Sequence, residues 1–346
     1  MRIIILTFFL LLCENLSGYT IKKSDLVLYY DTLTLQQKVS QLFIVYRNDL
    51  NFTENTPGGI IPSRNLLKKI YYKKIPVNSL TKNFKVPPLI CIDQEGGKVD
   101  RLSFIEKTPS LNSIFHDYER REIIIKNMVL NQKRLGINLN LSPVLDLSYQ
   151  QKSMIRRTDR TIVSTVDSIK EFVDLYISLH KSMKILNCVK HFPGYGETFD
   201  NSDVVIPKFK GDKELFEKNI NLFYHFFDKV SFVMLSNIVY PFLDTLPAIR
   251  SQKIVELVRD KNKDIVIIAD DIASKSNKNP FLVLKESFKS GVDMFILMND
   301  TLFEYMVDSL SFWISNGEIS KKDIDEKLFR IMLKKEYIFN FIKNRS

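Results

Sequence analysis

Eight short apolar runs recur along the chain, at 42–45, 58–61, 88–92, 139–145, 185–189, 232–235, 265–269 and 294–297, and most are separated by segments of helical spacing. Continuous apolar runs of four to seven residues suit strands buried on both faces, as in a parallel sheet covered by helices. The intervening segments supply those helices: Ile169, Phe172, Val173, Leu175, Tyr176 and Leu179 fall on one face of a helix expected over 167–183. Further helices are expected over 66–72, 121–135 and, as a closing element begun by Ser320 with Asp323 as a loose capping-box partner, over 317–333. The first run follows a helix that Thr34 is placed to cap. Eight such units predict an α/β fold, a (β/α)8 TIM-type barrel in a single domain. A doubly wound open sheet gives a similar alternation, but no glycine-rich phosphate loop follows the first run.

Polar residues gather where these runs end. Asp93 follows the third, Asp146 the fourth, Lys190 and His191 the fifth, and Asp270 with Asp271 the seventh, while Arg101, Arg160 and Asp203 lie in nearby loops. In a barrel this rim carries the chemistry. The stretch 190–203, KHFPGYGETFDNSD, is the densest, with cations, acids, glycine and proline directly behind an apolar run. Mixed carboxylates and cations grip a polyhydroxylated ligand through charge-assisted hydrogen bonds. Two carboxyl groups also suit glycosidic cleavage, one attacking the anomeric carbon and the other protonating the leaving oxygen. A metal is the competing use of such acids, but one nearby histidine and no ligand-spaced motif disfavour it, and no cofactor is expected.

At 346 residues and 45% hydrophobic content the chain can build a large core, and its formal charge of +10 raises the question of an anionic partner. The lysines and arginines are scattered over helical faces, so no nucleic-acid partner is expected. Three cysteines lack metal-ligand spacing; Cys91 and Cys188 lie inside apolar runs as small hydrophobes. Cys13 follows Met1-Arg2 and ten apolar residues, a run shaped like the core of an export signal and too short to span a bilayer. Residues 1–18 are therefore expected to be a signal peptide or a lipoprotein signal with an acylated Cys13, leaving 19–346 as the barrel domain. An uncleaved anchor is the remaining possibility. The expected location is the periplasm or a membrane-anchored form in the cell envelope, and the expected assembly a monomer.

Five segments carry a family resemblance: DQEGGKVDRL at 93–102, LSPVLDL at 141–147, KHFPGYG at 190–196, IIADDI at 267–272 and SGVDMFILMN at 290–299. Together they resemble glycoside hydrolase family 3, and within it the single-domain bacterial β-N-acetylhexosaminidases. The resemblance implies a retaining hydrolase acting on N-acetylglucosamine-containing glycans, with Asp270 as the nucleophile and Asp271 structural. It implies that Asp93, Arg101, Arg160, Lys190 and His191 hold the sugar hydroxyls; Arg160 enters through DRTI at 159–162.

The departures are as informative. Where the family places Asp-Ser-His, with the histidine as acid/base, this chain has Asn201-Ser202-Asp203, and Tyr195 stands for another histidine, Lys98 for an arginine. Two readings stay open. Asp203 replaces the histidine as proton donor, its pKa raised by burial or by like charge from Glu197 and Asp200. Alternatively the acid/base is lost, about 10²–10⁴-fold in rate with it, leaving an impaired hydrolase or a glycan-binding relative. A structural envelope protein is a third class, distinguished by binding no saccharide.

Overall fold

The computed structural model describes residues 30–52, 55–81 and 84–339; the signal segment expected over 1–18, with Cys13, lies outside the described residues. Ten strands appear in chain order: β1 (Phe43–Arg47), β2 (Gly59–Pro62), β3 (Leu89–Ile92), β4 (Gln94–Gly96), β5 (Val99–Asp100), β6 (Leu139–Asn140), β7 (Leu186–Phe192), β8 (Phe232–Leu235), β9 (Val266–Ala269) and β10 (Met294–Leu297). Eight of them close a barrel in the order β1-β10-β9-β8-β7-β6-β3-β2, every pairing parallel. The chain is thus a single-domain (β/α)8 barrel.

Burial explains the apolar runs. Every residue of β2, β3, β8, β9 and β10 is buried, because barrel packing covers one face and the helical ring the other. At the base of the first strand, Phe43 meets Phe295 and Phe303 with ring centroids 5.8 Å apart in both cases. Helix starts follow the sequence signals. Thr34 forms a complete capping box with Gln37 ahead of the helix Leu35–Ser40, and Thr165 caps Val166–Ser182. Pro280 occupies the first turn of Pro280–Ser290 behind the Asn279 cap. The closing helix begins where expected, with the Ser320 side chain accepting from the Lys322 N–H, but it runs on to Phe339.

Three elements differ from the sequence expectation. The fourth strand is two residues long rather than seven: Pro143 has no N–H for the ladder, so the chain leaves the sheet and rejoins it only at Val144, which bridges Lys190. The fifth strand continues through Lys190 and His191 to Phe192, because its ladder with β8 extends past Met234 to Leu235 with one shift of register. A small antiparallel hairpin, β4 with β5, was not expected. It folds because the Gln94 side chain donates to Asp100 Oδ1 (2.8 Å) and accepts from the Leu102 N–H (3.0 Å).

Candidate active site

The strand ends converge on a cleft of about 630 Å³. Of the nine rim residues singled out from the sequence, Asp93, Arg101, Arg160, Lys190, His191, Asp203, Asp270 and Asp271 line it, and Asp146 lies behind the lining.

One wall is an ion network. Lys190, on β7, donates to Asp93 Oδ1 at 2.7 Å and lies 2.7 Å from Glu95 Oε1. Arg160 grips Glu95 with two parallel bonds, Nε to Oε2 at 2.8 Å and Nη2 to Oε1 at 2.9 Å. Burial alone would push the Glu95 pKa up, but the Lys190 and Arg160 charges outweigh it and hold the carboxyl well below the usual range. Burial likewise opposes the Lys190 charge, and Asp93 and Glu95 overcome it, so the ammonium is raised above its ordinary value. Both cations therefore stay charged. Glu95 was not singled out from the sequence. The signal was there: Glu95 stands two residues beyond Asp93, and in extended chain such residues share a face.

His191 is held from behind. Its Nδ1 lies 2.8 Å from Asp146 Oδ2, while Asp146 Oδ1 accepts the backbone N–H groups of His191 and Tyr195, each at 3.0 Å. Asp146 is buried and serves as the brace that fixes the imidazole's orientation. The turn that follows depends on glycine. Gly194 has φ +124° and Gly196 φ +61°, and a Cβ at these positions would lie 2.4 Å from Asn219 Oδ1 and 2.3 Å from the Phe209 ring. Arg101 lies exposed on the cleft wall.

The opposite wall carries the remaining acids. Asp270, just past β9, has Oδ1 bound to the Asp271 N–H at 2.9 Å and lines the cleft. Asp271 turns to brace the loop: its Oδ1 accepts from the N–H groups of Ala273 (3.1 Å) and Met298 (3.2 Å). Burial raises its pKa to about 6, against the pull of those two bonds.

Asp203 reaches the cleft from the loop 197–205. The residue is exposed at the rim, yet its carboxyl is sufficiently enclosed that desolvation, followed by the nearby Asp270 charge, raises its pKa. The source of like charge thus differs from expectation. Glu197 is turned inward, taking the Ser148 hydroxyl (2.8 Å) and the N–H groups of Tyr149 (2.7 Å) and Gln150 (3.0 Å), so it anchors the loop. The like charge that adds to burial in raising the Asp203 pKa is that of Asp270.

The donor set is chemically suited to sugar: charged hydrogen-bonding groups on one wall, and on the other an ionisable pair of carboxyls. No group of three or more His, Cys, Asp or Glu arranged for a metal ion occurs among the described residues. Likewise, no described helix is long and apolar enough to cross a membrane.

Known proteins are similar to this chain in sequence and in fold. A β-hexosaminidase of Actinobacillus pleuropneumoniae serotype 3 (strain JL03) is 28% identical over 260 residues, covering 70% of this chain and 74% of that protein. One from Haemophilus influenzae (strain ATCC 51907 / DSM 11121 / KW20 / Rd) is 26% identical over 263 residues, covering 70% and 72%. Among solved structures, the family 3 β-N-acetylglucosaminidase from Paenibacillus sp. str. FPU-7 has a TM-score of 0.79 at 24% identity, covering 88% of this chain, which spans 62% of that one. LpqI of M tuberculosis has a TM-score of 0.80 at 20% identity, covering 92% of this chain and 97% of that one. Residues 34–333 match the model of the glycosyl hydrolase family 3 N-terminal domain. The chain belongs to glycoside hydrolase family 3.

Proposed function

We propose that the protein is a retaining glycoside hydrolase that removes terminal β-linked N-acetylglucosamine-type sugars. The β-hexosaminidase relatives support the substrate class, and the carrying observation is local. Asp203 and Asp270 face one cleft from different loops, and burial, aided by the Asp270 charge, raises the Asp203 pKa. A protein that only bound glycans would have no need of a second carboxyl facing Asp270 across the cleft.

In the first step, an oxygen of Asp270 attacks the anomeric carbon while the Asp203 carboxyl gives its proton to the departing glycosidic oxygen. In the second, the Asp203 carboxylate takes a proton from water as that water attacks the anomeric carbon and releases Asp270. Asp93, Arg101, Arg160, Lys190 and His191 hold the ring hydroxyls, and the Asp93–Lys190–Glu95–Arg160 network fixes the donors before substrate arrives.

Proton NMR of the first product decides the chemistry. Hydrolysis of 4-nitrophenyl β-N-acetylglucosaminide should release the β-anomer first; an α-anomer, or no turnover, refutes the reading. The proton donor has a separate test. Asp203→Asn should lower kcat/KM about 10²-fold or more on a disaccharide with a sugar leaving group, and far less on an aryl glycoside with a good one. Equal losses remove Asp203 from the role.

The apolar run at 3–12 supports export to the cell envelope, where peptidoglycan fragments or chitin-derived sugars would be the substrates. Recovery of the protein wholly in the cytosol on fractionation would refute this location.

A further inference from the structure

We propose that Tyr195 is a positioning residue for Asp203, its hydroxyl tying the proton-donor loop to the wall of the cleft that carries His191. The proposal rests on Asp203 being the proton donor. Its geometry is a chain of contacts running across the site. The Tyr195 N–H donates to Asp146 Oδ1, the oxygen that also takes the His191 N–H. The Tyr195 ring is buried and meets the His191 ring edge-on, with centroids 5.9 Å apart at 71°.

From that fixed base the hydroxyl reaches into the loop. It donates to the Asp200 carbonyl at 3.1 Å and accepts from the Ser202 N–H at 2.9 Å. These two contacts bracket Asn201, whose Oδ1 accepts the Asp203 N–H at 3.1 Å. On the other side, the Asp203 carbonyl accepts from the Ser276 N–H at 3.2 Å, on the loop that follows Asp270 and Asp271. Asp203 is thereby held between the sugar-gripping wall and the wall that carries Asp270.

The two departures from the family pattern are joined by this contact. An aspartate is shorter than the histidine the family places at this position, so its carboxyl has less reach and depends more on where its backbone stands. A phenol at position 195 supplies the constraint: one group satisfies a carbonyl and an N–H on both sides of the turn. A phenylalanine would fill the same space and leave both groups without that partner.

Tyr195→Phe in the full chain tests this. The variant should lose at least about tenfold in kcat/KM on N,N′-diacetylchitobiose, whose leaving group needs the proton. On 2,4-dinitrophenyl β-N-acetylglucosaminide, whose leaving group does not, kcat/KM should stay within about threefold. A role in packing alone would lower both alike, and that result overturns the proposal. Amide hydrogen exchange gives a second readout: the Ser202 N–H should exchange about tenfold faster in the variant, and an unchanged rate also overturns it. Should the intact protein turn over neither substrate, the assignment of Asp203 fails, while exchange at Ser202 still decides whether Tyr195 holds the loop. If Tyr195→Phe does not fold, Asn201→Ala removes the next contact of the same chain, the one to the Asp203 N–H; it should show the same split between the two substrates, and equal losses on both overturn the proposal.

Discussion

Buried charge collects at both ends of this barrel, and the two collections are closed in opposite ways. At the C-terminal rim, two cations, Lys190 and Arg160, are matched by two acids, Asp93 and Glu95, and three more carboxyls, Asp203, Asp270 and Asp271, line the cleft. At the base, beside the start of β10, the buried Asp293 is held by two guanidiniums, Arg330 through Nε (3.0 Å) and Nη2 (2.8 Å), and Arg259 through Nη2. It also accepts the Ile267 N–H at 2.8 Å, and Lys327 lies close by. At the rim, burial aided by the Asp270 charge pushes the Asp203 pKa up; at the base, surplus cation assists burial in pushing a lysine down, Lys327 to about 8. The rim opens its carboxyls to a cleft, whereas the base closes its acid among cations and holds elements together.

If that division is right, substitutions at the two ends should fail in different assays. Asp270→Ala should have the largest effect, lowering kcat by at least about 10⁴-fold, because no other group can form the intermediate. Its unfolding midpoint should be unchanged or slightly raised, since the substitution relieves like charge beside Asp203 and Asp271. A variant that retained a tenth of the activity would break the comparison at its catalytic end.

Asp293→Asn is the counterpart. It leaves Arg259 and Arg330 buried without their anion, and breaking such a cluster costs about 3–5 kcal/mol. Urea unfolding should show that loss as a lower midpoint. At temperatures where the variant is folded, KM should match the parent, because Asp293 lies at the far end of the strands from the cleft.

How much of this was legible beforehand depended on which physics each residue obeys. The barrel was readable because burial on both faces forces continuous apolar runs, and the rim because strand ends mark where the chain can turn to chemistry. Asp93, Lys190, His191 and Asp270 all stood at such ends. Glu95 stood two residues past such an end, on a hairpin held by the Gln94 side chain, and only its period-two spacing from Asp93 pointed to it. The shortening of β6 was written in Pro143, but an apolar run spanning a proline still reads as a strand. Burial, the larger cause of the Asp203 shift, was anticipated; the like charge was assigned to Glu197 and Asp200 by sequence proximity, whereas the fold turned Glu197 inward and brought Asp270 close. Asp293 sat inside a family motif without drawing notice, because its partners lie 34 and 37 residues away.

Glu95→Gln tests the balanced part of the rim. Glutamine keeps the shape but offers Lys190 and Arg160 a neutral acceptor, so the sugar-gripping donors lose their fixed spacing and kcat/KM should fall about 10- to 100-fold. A pH signature accompanies it. The folded state holds Glu95 ionised below its ordinary pKa, so its contribution to stability is full above about pH 4.3 and is lost as pH falls through that value towards the depressed folded pKa. The glutamine variant should therefore lose less stability than the parent between neutral pH and pH 3, measured by urea midpoints at each pH.

The smallest effect, and the one with the opposite sign, is expected at Lys335. This buried residue on the closing helix donates to Gln41 Oε1 at 2.8 Å, and burial, slightly opposed by Cys91, lowers its pKa to about 7. In the unfolded chain it titrates near its ordinary value of about 10.4. Between those two values the unfolded state binds more protons than the folded one, so Lys335 makes stability rise with pH from about 7 to about 10 and adds no slope below. Lys335→Met should then stabilise the protein at pH 7 by about 1–3 kcal/mol, since it removes a buried charge that has no acid paired with it among the described residues. The advantage should shrink at pH 9, where the parent lysine is already neutral in the fold; the slope due to Lys327, which has the same sign, remains in both proteins. Urea midpoints at pH 7 and 9 read this directly. A gap that widens with pH would show that Lys335 is held as a partnered cation, and the base would then resemble the rim.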